Sequence, residues 1–208
     1  AARRILEKKT IPIVFLTSHS EQEMVERVRG ITRYGYVIKN SGDFVLQSSI
    51  EMAFDLFDAH EKISESVSLQ RTLVQTIPDL IWLKDMDGVY LACNNKFEEL
   101  YGATEAEIVG KTDYDFVNKE QADSFREHDR IAMEAGKSSV NEEWVNFASD
   151  GHKELLETIK TPMIGNNGRL IGILGIARDI TERKRVEEDR LTNLRIMENL
   201  DKVNRAIQ

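Results

Sequence analysis

The chain has 208 residues, 41% of them hydrophobic and 31% charged, with a formal net charge of −8 at pH 7. That length allows one or two small domains, and the acidic balance argues against a nucleic-acid or anionic-membrane surface, which needs a basic patch. The single cysteine, Cys93, excludes an internal disulfide and a CxxC metal site, and no apolar run approaches the roughly 20 residues of a membrane span, so a cytoplasmic location is expected.

In chain order, AARRILEKKT is charged and helical in pattern, with no signal-peptide signature, and a chain opening on Ala is expected to be a fragment. IPIVFLTS, residues 11–18, is a continuous apolar run, as in a strand buried on both faces of a parallel sheet. Ser20 with Glu23 three residues on forms a capping box for a helix to about residue 30. Residues 35–38 give a second apolar strand ending at Lys39, and strand, helix, strand of these lengths predicts a βαβ unit. From Asp43 the pattern is helical to about residue 76, with a break expected near residues 64–68 and a stop at Pro78. Met52, Leu56, Ala59 and Ile63 are spaced 4, 3, 4 along it, a heptad stripe.

The period then changes to two. Residues 80–84 and 88–92 flank Asp85-Met86-Asp87-Gly88, a hairpin signal. Helices are expected over 94–101, 104–109 and 119–135, then strands over 139–147, 153–163 and 169–178. The turns between these strands carry Asp150-Gly151 and Gly165-Asn166-Asn167-Gly168. Two strands, a helical insert and three strands predict an α+β sheet with helices on one face. From Thr181 the chain is again charged and helical, and Ile196, Leu200, Val203 and Ile207 form a second 4, 3, 4 stripe.

Three segments carry a resemblance: IPDLIWLKDMDGVYLACNNKFEELYG, EAEIVGKTDYDF and GRLIGILGIARDITERK. Through them residues 66–181 resemble a PAS domain, which implies a five-stranded antiparallel sheet with a helical insert. In that family the joint between last strand and exit helix carries the signal. Here it is Asp179-Ile180-Thr181, with Thr181 expected to cap the helix and Asp179 to tie the strand end to the core. The first 60 residues resemble the end of a response-regulator receiver domain, on Thr17, Tyr36 and Lys39. The resemblance implies that the threonine hydroxyl and lysine ammonium meet a phosphoryl group while the aromatic swings inward. The family's acidic pair and phosphoacceptor aspartate have no counterpart here, and Asn40 stands where the family has proline. ENLDKVNRAIQ looks like a linker to a further sensory domain ahead of a histidine kinase. The implied layout is a partial receiver unit at 1–42, a signalling helix at 43–76, a PAS domain at 77–181 and a coiled-coil helix at 182–208.

No nucleophile–base pair, HExxH or Gly-rich phosphate loop is present, so the chain is expected to be non-catalytic. His128 lies in an EHD string like that of haem-binding PAS domains, but its distance from Gly136 does not fit, and it reads as an exposed histidine. Cys93 ends a strand rather than lying in a flavin-site helix, so neither haem nor flavin is expected. His19, His60 and His152 have no metal-ligand spacing. Trp82, Phe97, Tyr101, Tyr114, Phe116, Phe125, Trp144 and Phe147 are either core or the lining of a small-molecule cavity between sheet and insert. The expected function is a sensory and relay module of a prokaryotic signalling protein, a histidine kinase above all. It would act as a parallel homodimer and pass a signal to a downstream domain. A ligand-free dimerisation spacer is the alternative.

Overall fold

A computed structural model of the protein describes residues 2–18 and 34–207. The expected helix at 20–30, its Ser20–Glu23 box and His19 lie outside the described residues. The chain divides into two compact units, 1–71 and 72–208.

The first unit holds helix α1 (Ala2–Leu6) and strands β1 (Phe15–Thr17) and β2 (Tyr36–Ile38). The two strands pair in parallel, with Phe15 opposite Tyr36 and Thr17 opposite Ile38. Helix α2 (Asp43–Thr76) runs unbroken through the expected interruption at 64–68 and contains the boundary between the units. The serines of that stretch, Ser64, Ser66 and Ser68, cost a helix too little to end it; Pro78 does, because it has no N–H to continue the helical hydrogen bonds. Ala53 is the buried residue of α2, whereas Met52, Leu56, Ala59 and Ile63 are exposed.

The second unit is built on a sheet of order β4-β3-β7-β6-β5, every neighbouring pair antiparallel. Its strands are β3 (Leu80–Lys84), β4 (Tyr90–Cys93), β5 (Ser139–Asn146), β6 (Lys153–Ile164) and β7 (Leu170–Asp179). Strict alternation in LIWLK turns Leu80, Trp82 and Lys84 to the covered face. The register continues that row: Trp82 faces Gly175 on β7, and Gly175 faces Lys160 on β6. Gly175 is required there, because a Cβ would lie 2.1 Å from an indole carbon of Trp82.

Between β4 and β5 lies the helical insert: α3 (Asn95–Tyr101), α4 (Glu105–Ile108), a 3₁₀ turn (Asp113–Asp115) and α5 (Lys119–Ala135). Each piece is fixed by its own cap. Asn94 accepts the Phe97 N–H at 3.1 Å and Asn118 the Gln121 N–H at 3.0 Å, while Gly102 and Gly136 close the helices in the left-handed region. Thr104–Glu107 and Thr112–Asp115 form capping boxes. Asn94 is fully buried and also joins the start of the domain to β3, donating to the Asp79 carbonyl at 2.8 Å and accepting the Ile81 N–H at 3.0 Å. The core lies between sheet and insert, around Leu80, Phe97, Ile108, Phe147 and Leu156. Helix α6 (Thr181–Ile207) leaves from the end of β7.

Candidate ligand cavity and signal junction

A cavity of about 30 Å³ opens between the inner face of the sheet and the insert. Its lining combines the aromatic rings of Trp82, Phe97, Tyr101 and Phe125 with charged groups that sequence reading missed: Lys84, Asp113, Glu143 and Lys160. As it stands it has room for a water molecule or two. Lys84, buried to 1% exposure, places its ammonium 2.6 Å from Asp113 Oδ2 and 3.1 Å from Asp129 Oδ2. Lys160 Nζ lies 2.7 Å from Asp129 Oδ1 and donates to the Phe125 carbonyl at 2.9 Å. Tyr90 donates to Asp113 Oδ1 at 2.7 Å and meets the Tyr101 hydroxyl at 2.8 Å. Two strands, the 3₁₀ turn and α5 are thereby joined through four buried charges.

Burial alone raises the Asp129 carboxyl, but the ammonium groups of Lys84 and Lys160 outweigh it and hold Asp129 below the usual carboxylate range. Burial lowers Lys160, opposed in part by Asp129. Burial, reinforced by the Asp113 charge, raises the hydroxyls of Tyr90 and Tyr101, so both stay protonated donors. Arg126, on α5, reaches from beside Asp129 to the β3–β4 turn. Its guanidinium lies over Gly88, where a Cβ would come within 2.0 Å of Nη1.

Of the aromatic residues expected at a cavity, Trp82, Phe97, Tyr101 and Phe125 line it. Trp144 does not: it alternates onto the outer face of β5 and is 59% exposed. Tyr114 is 51% exposed and donates to Asp123 at 2.8 Å. Phe116 stacks on Tyr101 with ring centroids 4.5 Å apart, and Phe147 is core, stacked on His152; neither lines the cavity. The signal overlooked in the sequence is parity. Lys84 shares the inward set of Trp82, and Lys160 that of Leu156 and Thr158, and a lysine on an inward position demands a carboxylate partner.

At the end of β7 the Thr181 hydroxyl donates to Asp179 Oδ1 at 2.5 Å and accepts the Leu155 N–H at 2.8 Å. Asp179 Oδ1 also accepts the Thr181 N–H at 2.8 Å, and Ile180 N–H donates to the Leu155 carbonyl at 2.9 Å. Thr181 therefore does not cap α6 as expected. The first helical bond, from Lys184 N–H, goes to Ile180 O, which makes Ile180 the cap position and frees the Thr181 hydroxyl to pin the helix start to β6.

In the first unit, Lys39 N–H donates to the Thr17 carbonyl at 2.6 Å, bringing these two strand ends together; Tyr36 is 38% exposed at the start of β2. His128 is half-buried rather than exposed, because α5 turns it partly toward the domain, and its Nδ1 is buried without a partner. Cys93 is buried, and burial, then Glu105 and Glu98, push its thiol up to about 12, so it is no thiolate at neutral pH. His152, in a turn, contacts Asp150 and Glu154. Among the described residues no group of three or more His, Cys, Asp or Glu side chains is placed to hold a metal ion, and no helix is long and apolar enough to cross a membrane.

The five-stranded sheet with its insert between the second and third strands coincides with the residues that a PAS fold family profile matches, 74–185, more than half of the chain. The chain belongs to the PAS-fold family. The chain is 31% identical over 121 residues to the aerobic respiration control sensor protein ArcB of Escherichia coli, covering 58% of this chain and 15% of ArcB. It is 29% identical over 151 residues to the methanogenesis regulatory histidine kinase FilI of Methanothrix harundinacea, covering 73% of this chain and 17% of FilI. The chain thus spans about one sixth of the length of these curated relatives. Among solved structures it is similar to the phage VqmA–DPO complex, at 25% identity and a TM-score of 0.51, over 65% of this chain and 62% of that one. A PAS domain is a sensory, non-catalytic fold, and the likeness to histidine kinases makes this chain part of a sensory signalling module.

Proposed function

We propose that the PAS domain senses a small molecule in the cavity beneath Trp82 and relays occupancy through α6 to a downstream domain. The parent would be a longer signalling protein, a histidine kinase above all, and the chain would act as a parallel homodimer. One observation carries the reading: a cavity walled by aromatic rings and a cluster of buried charges sits on the same sheet whose last strand ends in the Asp179–Thr181–Leu155 clasp. The similar VqmA, solved with DPO, supports a small-molecule occupant. Exposed apolar side chains on both flanking helices, Met52, Leu56 and Ile63 on α2 and Leu191, Leu194 and Ile196 on α6, support pairing with a second copy. Residues 1–42 are read as the last part of a receiver domain, with Thr17, Tyr36 and Lys39 at its switch positions; the parallel β1–β2 pair supports this. A second reading, a ligand-free dimerisation spacer, is favoured by the small size of the cavity, about 30 Å³.

The test is output from the longer protein carrying Asp179→Ala or Thr181→Val. Both variants are expected to melt near the wild type yet change output. Unaltered output and ligand response in both would remove the junction from the relay.

A further inference from the structure

Trp82 is 8% exposed, lines the cavity, and its indole N–H has no hydrogen-bond partner. A buried donor without an acceptor is costly, and its position on a cavity wall points to an acceptor supplied from within the cavity. The neighbouring row is polar as well, although its lysine is already paired. Across Gly175 from Trp82 stands Lys160, also on the wall, and beside Lys160 on the inner face is Thr158.

Charge narrows the class. The fully buried cations Lys84 and Lys160 already contact the fully buried carboxylates Asp113 and Asp129. The two part-buried charges at the edge, Arg126 and Glu143, are also one of each sign. An ion entering this balanced set would find no free counter-charge and would lose its hydration. The flat walls of Trp82, Phe97 and Tyr101 suit a ring.

Resting on the reading of this cavity as a sensor site, we propose that its ligand is a small, uncharged, flat molecule bearing a carbonyl-type acceptor, bound by Trp82 Nε1. Entry of a ring requires the half-buried walls Phe125 and Glu143 to yield, because the resting cavity holds only water-sized guests.

The chain contains two tryptophans, and Trp144, exposed on the other face of the sheet, is the internal control. Three probes of similar size are titrated into the ¹⁵N-labelled chain at pH 7: neutral 2-pyridone, anionic benzoate and apolar toluene. The expected result is a saturable shift of the Trp82 indole N–H resonance with 2-pyridone and none at Trp144. Benzoate and toluene should bind at least about tenfold more weakly, and Trp82→Phe should weaken 2-pyridone by about tenfold, the worth of one well-made hydrogen bond. Benzoate or toluene binding as tightly as 2-pyridone, or Trp82→Phe binding it unchanged, overturns the ligand class while leaving the sensor reading in place. If no probe moves the Trp82 signal and the indole proton sees only exchanging water, the sensor reading falls as well. The three-probe comparison needs no variant.

Discussion

Asp129 holds two lysines at once, through Oδ2 to Lys84 and Oδ1 to Lys160. Removing its charge strands both ammonium groups in the core. Asp129→Asn is therefore expected to destabilise the domain by about 3–5 kcal/mol, read as a large fall in Tm. The sign with pH follows from its lowered carboxyl. A depressed acid contributes stability that is fully present above its unfolded value of about 4 and is lost as pH falls through the folded value. The Tm of the wild type should drop below about pH 4, and that of Asp129→Asn should depend less on pH there. Gly175 makes a second prediction: a methyl at this position meets the Trp82 ring at 2.1 Å, so Gly175→Ala should cost about 1–3 kcal/mol and move the Trp82 fluorescence. These residues also mark where sequence reading stopped. Trp82 and Phe97 were legible from their aromatic character as core or cavity residues, and they are both. Asp113 and Asp129 were not, since an aspartate in a helical insert looks solvated until the fold brings Lys84 and Lys160 above it.

The elements themselves were far more legible. The alternation in LIWLK, the Asn-Asn-Gly turn before β7 and the glycines after α3 and α5 are local signals, and local geometry obeys them. What failed was long-range. Trp144 looked like core by type, but its strand parity places it outside, and only the register against β6 shows which face is covered. Thr181 looked like a cap by position, yet the partner that claims its hydroxyl, Leu155, is 26 residues away. That contact sets the expectation for Thr181→Val. Losing one hydrogen bond and leaving the Leu155 N–H unmet should cost about 1–2 kcal/mol, well below the roughly 5–15 kcal/mol that holds a domain. Hydrogen exchange should show the effect confined to the Leu155 amide and the first turn of α6. Outright unfolding would make the clasp a structural element instead.

For the whole molecule, the exposed apolar side chains of α2 and of residues 191–197 of α6 matter most; Leu200, Val203 and Ile207 of the second stripe have side chains outside the described ones. Helices this polar gain little alone in water, and pairing buries their apolar side chains at about 0.8 kcal/mol per CH₂. The first unit adds a separate expectation. Residues 1–42 hold the strand ends Thr17 and Lys39 but no counterpart to the receiver family's phosphoacceptor aspartate. The chain should therefore not take phosphate from acetyl phosphate; a stoichiometric, hydroxylamine-labile phosphoryl group would refute that reading of the segment. The dimeric sensor itself is tested most directly by native mass spectrometry of the purified chain. The predicted result is a dimer of about 48 kDa, twice 23.8 kDa, carrying a small-molecule adduct on each copy. A bare dimer would leave only the spacer, and a bare monomer of 23.8 kDa at tens of micromolar would contradict both sensing and pairing.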